Sequence, residues 1–301
     1  MSNNDTNRED KLKILERALD TFNRILERCW LCPRKCGVNR LNGEKGFCKS
    51  AKEIYISSFG PHFGEEKVLV GRFGSGTIFF TGCNLGCVYC QNYTISQLYE
   101  GYRISERELA DIMLSLQQKG CHNINLVTPT HLVPQIMRAL YYAIKEGLTV
   151  PLVFNCGGYE SLSIIQMLKG IIDIYMPDIK YWESSASEQF SNAKDYPLIA
   201  KTAVKEMYNQ VGDLLIDKEG VAYKGLLIRH LVLPNNLAGS KEILEFISTH
   251  ISKYSFINIM DQYRPCFEAF KYPQLSRSIT IEEYKRVIEL AHSYGLKRGF
   301  L

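Results

Sequence analysis

Apolar and polar residues alternate along this chain in two distinct rhythms. In residues 8–28, Leu12, Leu15, Leu19, Phe22, Ile25 and Leu26 recur at helical spacing between charges, which predicts a packing helix. Residues 29–48 lose that periodicity and become rich in Cys, Gly, Arg and Lys. Residues 49–76 carry short β-like runs, Ile54-Tyr55-Ile56 and Val68-Leu69-Val70, broken by glycines. From residue 77 the order is regular. Strands are expected at 77–81, 123–128, 150–155, 171–176, 226–233 and 255–260, with helices at 105–118, 132–146, 161–168, within 187–210, 240–250 and 281–294. Ser105 with Glu108, and Thr280 with Glu283, read as capping boxes. A β excursion is expected around Gly220.

Six alternating strand–helix units imply a parallel sheet with right-handed crossovers. The expected fold is α/β: a partial (β/α)6 TIM-like barrel with a small Cys-rich N-terminal appendage. A doubly wound sheet fits the same pattern. The expected divisions are 1–28, a helix; 29–76, a Cys-rich knuckle and short β segment; and 77–301, the partial barrel. In either architecture ligands bind at the carboxyl ends of the strands.

Composition narrows the function classes. The 301 residues are 46% hydrophobic and 23% charged, as in ordinary globular proteins. The formal charge of +4 is small and no basic cluster stands out, so nucleic acid is not expected as a partner. A mildly basic surface still suits an acidic partner. No apolar run is long enough to span a membrane, and the polar start lacks the apolar stretch of a secretory signal. Cytoplasmic location is the expectation.

There are ten cysteines. A reducing compartment directs them toward metal ligation or catalysis rather than disulfides. Cys83, Cys87 and Cys90 form a C-x3-C-x-aromatic-C run directly after the first strand of the barrel. Three thiolates on one loop can hold three irons of a [4Fe–4S] cluster and leave the fourth open. A zinc site completed by a distant ligand, and three structural thiols, are the alternatives. Cys29, Cys32, Cys36 and Cys48 supply four further ligands, for structural zinc or a second cluster, with free thiols as the third option. Cys121, Cys156 and Cys266 read as buried small residues. Cys156 and Cys266 flank expected site loops, where a thiol relay is a further role.

The chain resembles the radical S-adenosylmethionine (SAM) superfamily. Cys83, Cys87 and Cys90 match its cluster motif, and Tyr89 matches the aromatic position beside the adenine. More narrowly it is similar to relatives of the activating enzymes of pyruvate formate-lyase, through Cys-Pro-Arg-Lys-Cys-Gly at 32–37, Gly-Ser-Gly-Thr-Ile-Phe-Phe at 74–80, Cys-Gln-Asn-Tyr at 90–93, Asn-Leu-Val-Thr-Pro-Thr-His at 125–131 and Asn-Ile-Met-Asp-Gln-Tyr-Arg-Pro at 258–265. The resemblance implies an oxidoreductase. Its open iron chelates SAM, and one electron cleaves the cofactor to methionine and a 5′-deoxyadenosyl radical that abstracts a substrate hydrogen. Glycyl-radical generation on a partner protein is the specific expectation. Modification of a small molecule or peptide is the alternative, and an iron–sulfur electron carrier is the non-enzyme alternative. An electron donor such as flavodoxin or ferredoxin is the expected partner.

The resemblance also assigns strand-end residues. In the family a monovalent cation near the SAM carboxylate is held at two strand ends, which by position would involve Asn155, Cys156, Met176 and Asp178. Gly157 and Gly158 are read as allowing close backbone approach to a ligand. Asp178-Ile179-Lys180 is similar to the Asp-x-Lys segment of the activating enzymes. Arg229 matches a cofactor-contacting Arg. At the second strand the family's Gly-Gly-Glu type segment is absent. Thr128-Pro129-Thr130-His131 stands there, so Thr128 and Thr130 are the cofactor-binding candidates and His131 an acid/base or substrate candidate. His230, in the fifth strand beside Arg229, lies in the same region. Asp261, Gln262, Tyr263 and Arg264 are cavity candidates.

Overall fold

The computed structural model describes residues 3–300. Helix α1 (Asn3–Glu27) leads into the cysteine-rich segment, and strand β1 (Ile54–His62) follows. Then come α2 (Lys67–Val70), β2 (Ser75–Phe80), α3 (Tyr93–Ser96), β3 (Tyr102–Ile104), α4 (Glu106–Gln118), β4 (Ile124–Val127) and α5 (Val133–Lys145). The chain continues through β5 (Leu152–Cys156), α6 (Leu162–Met167), β6 (Ile174–Pro177), α7 (Ser184–Ser191) and α8 (Tyr196–Val211). It ends with β7 (Leu215–Ile216), β8 (Ala222–Leu231), α9 (Ser240–Phe246), β9 (Phe256–Met260) and α10 (Ile281–Ser293).

β2, β4, β5, β6, β8 and β9 are parallel neighbours in that order, which is the expected six-unit partial barrel. β1 pairs antiparallel with β2, and β3 with β1, so the sheet ends at β3 on one side and β9 on the other. The barrel is therefore open laterally. Both expected capping boxes form, at Ser105/Glu108 and Thr280/Glu283. The β excursion is the β7–β8 pairing. The Val68-Leu69-Val70 run is not a strand. It lies in the single turn α2, which buries Leu69 in the barrel. Its three apolar residues carry no alternation that could specify a sheet face.

Alternation along the parallel strands separates two cores. Ile78, Leu126, Phe154, Tyr175, Ile228 and Ile257 pack with the helices. Val153, Ile174, Met176 and Leu227 face inward and meet Leu69, Leu214 and Ala222. This second cluster plugs the amino-terminal end of the barrel. Farther along the same inward face the residues turn polar: Asn155 follows Val153, Asp178 follows Met176, and Arg229 follows Leu227. The sheet thus carries a dry floor and a polar layer above it, on the side where the three-cysteine loop leaves β2.

Candidate active site

The loop after β2 is held from three directions. Gly82 N donates to Ile95 O at 2.9 Å, Val88 N to Phe190 O at 2.9 Å, and Gly86 N to Ser191 O at 3.2 Å. Gly82 has φ +84°, and a Cβ there would stand 2.6 Å from Cys48 O, so glycine is required. Each sulfur already meets a polar hydrogen-bonding group. Leu85 N donates to Cys83 Sγ at 3.3 Å, Ser191 Oγ donates to Cys87 Sγ at 2.9 Å, and the Ser96 hydroxyl lies 3.2 Å from Cys90 Sγ. Such bonds stabilise thiolate ligands and tune a bound cluster. Burial pushes the Cys83 and Cys87 thiols up, so without a metal they stay protonated. The Lys180 ammonium partly offsets this at Cys87. Tyr89 is buried, edge-on to Tyr181 and Tyr263 with ring centroids 6.3 and 5.8 Å away.

The polar layer faces this loop. Arg229 donates from Nε to Asp178 Oδ1 at 2.8 Å and from Nη2 to Asn155 Oδ1 at 2.7 Å. Lys180 Nζ donates to Asp178 Oδ2. Burial raises the Asp178 pKa, but Arg229 and Lys180 overcome it and hold the carboxyl below its usual range. Both Asp178 oxygens are therefore engaged by protein cations, where the resemblance placed a monovalent metal ion. Arg229 Nη1 also lies 3.9 Å from Glu66 Oε1, which accepts from Asn258 Nδ2 at 3.1 Å. Asn125 is fully buried with its side chain facing the Glu65 carboxyl but making no hydrogen bond of normal geometry, and Glu66 Oε2 lacks a partner. Burial and neighbouring Glu66 raise the Glu65 carboxyl. Orphaned polar atoms in a buried layer fit a site that receives a polar molecule.

A family model described as the radical SAM superfamily matches residues 77–193. The chain is 36% identical over 296 residues to Uncharacterized protein MJ0674 of Methanocaldococcus jannaschii, covering 95% of this chain and 80% of that one. The chain belongs to the radical SAM superfamily. It is also 22% identical over 298 residues to Uncharacterized protein MJ0808 of the same organism, covering 89% of this chain and 82% of that one. Among solved structures, a radical SAM methyltransferase from Sphaerobacter thermophilus superposes with a TM-score of 0.53 at 12% identity, over 75% of this chain and 66% of that one. At that identity the likeness speaks for the fold.

Radical SAM membership brings a [4Fe–4S] cluster and SAM, and the donor set of Cys83, Cys87 and Cys90 fits three of the cluster's irons. The structure joins Asn155, Asp178 and Arg229 into one network and gives the other candidates protein partners of their own. Thr130 Oγ1 donates to Glu160 Oε1 at 2.8 Å, and Thr128 N donates to Asn155 O at 2.8 Å. His131 is buried and neutral. Burial lowers its pKa to about 4, and its Nε2 lies 2.7 Å from Thr81 O. His230 is buried the same way between Ile179 O and Ser240 Oγ, at 2.8 Å from each, which is a structural placement. Gly158 serves close approach of the protein to itself: a Cβ there would stand 2.2 Å from Asp178 O. Asp178–Lys180 is a buried pair rather than a surface one. Among the described residues no helix is long and apolar enough to cross a membrane, and no three His, Cys, Asp or Glu side chains are arranged to hold a single metal ion.

Sequence reasoning missed Glu65, Glu66, Asn125 and Asn258. The last two had a signal: a polar residue on the inward-facing positions of otherwise apolar strands. Glu65 and Glu66 had none, because they reach the lumen from the turn between β1 and β2. They also border a lateral cleft of about 790 Å³ whose far wall is Asn258, Met260, Asp261 and Tyr284.

Proposed function

We propose that this protein reductively cleaves SAM and abstracts a hydrogen atom from a substrate admitted through the lateral cleft. The observation that carries this reading is the three-cysteine loop set against the Asn155–Asp178–Arg229 network at the carboxyl ends of parallel strands. When bound, the reduced cluster supplies the electron that breaks SAM into methionine and the 5′-deoxyadenosyl radical. Cys83, Cys87 and Cys90 hold it. Asn155 and Arg229 supply hydrogen-bonding groups for the amino-acid end of SAM. Asp178 fixes the Arg229 guanidinium, and Lys180 places positive charge between Asp178 and the Cys87 sulfur. Asn125 and Glu66 offer polar contacts in place of the carboxylate that Thr128-Pro129-Thr130-His131 lacks. The floor of Leu69, Val153, Ile174 and Leu227 keeps water from the radical.

The test is anaerobic reconstitution, reduction and measurement of 5′-deoxyadenosine and methionine. Equal amounts of both, abolished in Cys87→Ala, support the reading. No cleavage by protein carrying an intact cluster refutes it and leaves an electron carrier. For the substrate, glycyl-radical formation on a partner protein is the more specific reading, favoured by the buried Asp178-Ile179-Lys180 segment. A glycyl doublet in electron paramagnetic resonance on mixing with a glycyl-radical enzyme of the same organism supports it. Its absence with all of them leaves modification of a small molecule or peptide, for which a cleft of this size is suited.

A further inference from the structure

We propose that the four-cysteine knuckle holds a second [4Fe–4S] cluster and is the port at which an acidic one-electron carrier reduces the protein. Cys29, Cys32, Cys36 and Cys48 all line one small cavity walled by Leu31, Val38 and Phe47. Two reversals present them. Lys35 and Lys49 take left-handed φ of 42° and 59°, and their N–H groups close turns on Cys32 O and Gly46 O. Phe47 N lies 3.5 Å from Cys36 Sγ and donates to it.

The same cavity is lined by Arg40, which is 1% exposed. Its guanidinium donates only to carbonyls: Nε and Nη2 to Ala51 O at 3.0 and 2.6 Å, and Nη1 to His131 O at 2.7 Å. Among the described residues no carboxylate pairs with it. A buried cation without an anion costs several kcal/mol. Four thiolates around an oxidised cubane carry about two net negative charges, which Arg40 would balance. Zinc would draw the sulfurs to within about 4 Å of one another. Among the described residues neither this set nor Cys83, Cys87 and Cys90 closes onto a single ion.

The knuckle is fastened to the first cluster's loop. Arg34 Nε donates to Asn84 O at 3.0 Å, while its other nitrogens reach Ser191 O and Asn192 O, and its guanidinium lies 3.8 Å above the Phe47 ring. Cys48 O sits against Gly82, the residue before Cys83. The outer side faces solvent. Cys36 is exposed, and residues 28–52 hold seven Lys or Arg against one acid, Glu44. Lys35, Lys45 and Lys49 are exposed there, correcting the expectation that the chain has no basic cluster. A groove of about 760 Å³ takes Trp30, Pro33 and Lys35 from the knuckle. Its acids, Glu160 and Asp195, are hydrogen-bonded to Thr130 and Tyr159. The exposed lysines of the knuckle, with Lys35 also lining the groove, fit a carrier with an acidic face. In the transfer the carrier is oxidised by one electron and the knuckle cluster reduced by one, and no atom moves.

The port rests on the function proposed above; the metal assignment does not. The test uses the Cys83→Ala/Cys87→Ala/Cys90→Ala protein, reconstituted anaerobically. Iron and sulfide near four each per chain, with a [4Fe–4S] resonance on reduction, are expected. Zinc in their place, or no metal, overturns the cluster. If that variant does not fold, Cys32→Ala/Cys48→Ala should retain about half the wild-type iron, and undiminished iron overturns it. Reduced flavodoxin then serves as the probe for the port. Lys35→Glu/Lys45→Glu/Lys49→Glu in the triple-variant background should slow cluster reduction about tenfold or more at low ionic strength, with the difference vanishing in high salt. Equal rates at low salt overturn the port.

Discussion

The Arg229 guanidinium reaches across from β8 to the end of β6, placing Nε 2.8 Å from Asp178 Oδ1. Lys180 approaches the other oxygen, so one buried carboxylate serves two cations. Asp178→Asn leaves both cations without their anion. It should cost about 3–5 kcal/mol in urea unfolding of the metal-free protein. The sign with pH follows from the lowered Asp178 pKa. Its stabilisation is complete above the unfolded carboxylate range and is lost as pH falls through the folded value. Asp178→Asn should lack that share of the acid loss, and an unchanged acid limb would refute the assignment.

Ser191 links an aromatic hydroxyl to a cluster ligand. Its Oγ lies 2.7 Å from Tyr181 OH and donates to Cys87 Sγ at 2.9 Å. A donor to sulfur favours the reduced, more negative cluster. Ser191→Ala should therefore lower the cluster midpoint potential. A bond worth about 0.5–1.5 kcal/mol corresponds to roughly 20–60 mV for one electron. A spectroelectrochemical titration reads the shift, and an unmoved or raised potential would contradict it.

The six parallel strands were legible because each is a short apolar run bounded by turn residues, and both capping boxes carry their own signature. The loop at Cys83 was legible because its ligands are close in sequence. The lumen was only half visible. Asn155, Asp178 and Arg229 lie at strand ends, where function is expected, whereas Asn125 and Asn258 lie within the strands and Glu65 and Glu66 in a turn with no periodic pattern. Nothing local in the sequence distinguishes Arg40 as a guanidinium that folding will bury. The knuckle's Arg and Lys were visible in the sequence, but what they amount to was masked by averaging: a formal charge of +4 over 301 residues gives no weight to seven cations in one short segment.

Glu160 should give the protein a stability loss toward neutral pH. Burial raises its pKa to about 7, with Thr130 opposing the shift. The unfolded chain releases this proton near the ordinary carboxylate value, while the native state keeps it until about 7. Stability from this group is thus present at acid pH and declines as pH rises toward and through 7, by roughly 3 kcal/mol in all. Glu160→Gln should flatten that decline and leave the variant more stable than wild type at pH 8. Urea unfolding at pH 5 and pH 8 measures both, and parallel curves for the two proteins would exclude Glu160 as the source.

Gly82 and Gly37 separate backbone strain from crowding. Both have positive φ, +84° and +70°, so alanine at either costs about 1–2 kcal/mol in conformation. Gly37 has nothing within 4 Å of a built Cβ, so Gly37→Ala should cost that much and no more. At Gly82 the Cβ would meet Cys48 O at 2.6 Å, Tyr99 Cε2 at 2.9 Å and His131 Nε2 at 3.1 Å. Cys48 O is backbone, and His131 is held by Thr81 and Arg40, so neither can yield cheaply. Gly82→Ala must push the knuckle away from the Cys83 loop. It should lose iron faster than Gly37→Ala on exposure to a chelator, and lose more thermal stability. Equal iron retention in the two variants would mean that the knuckle and the cluster loop are not mechanically joined at this contact.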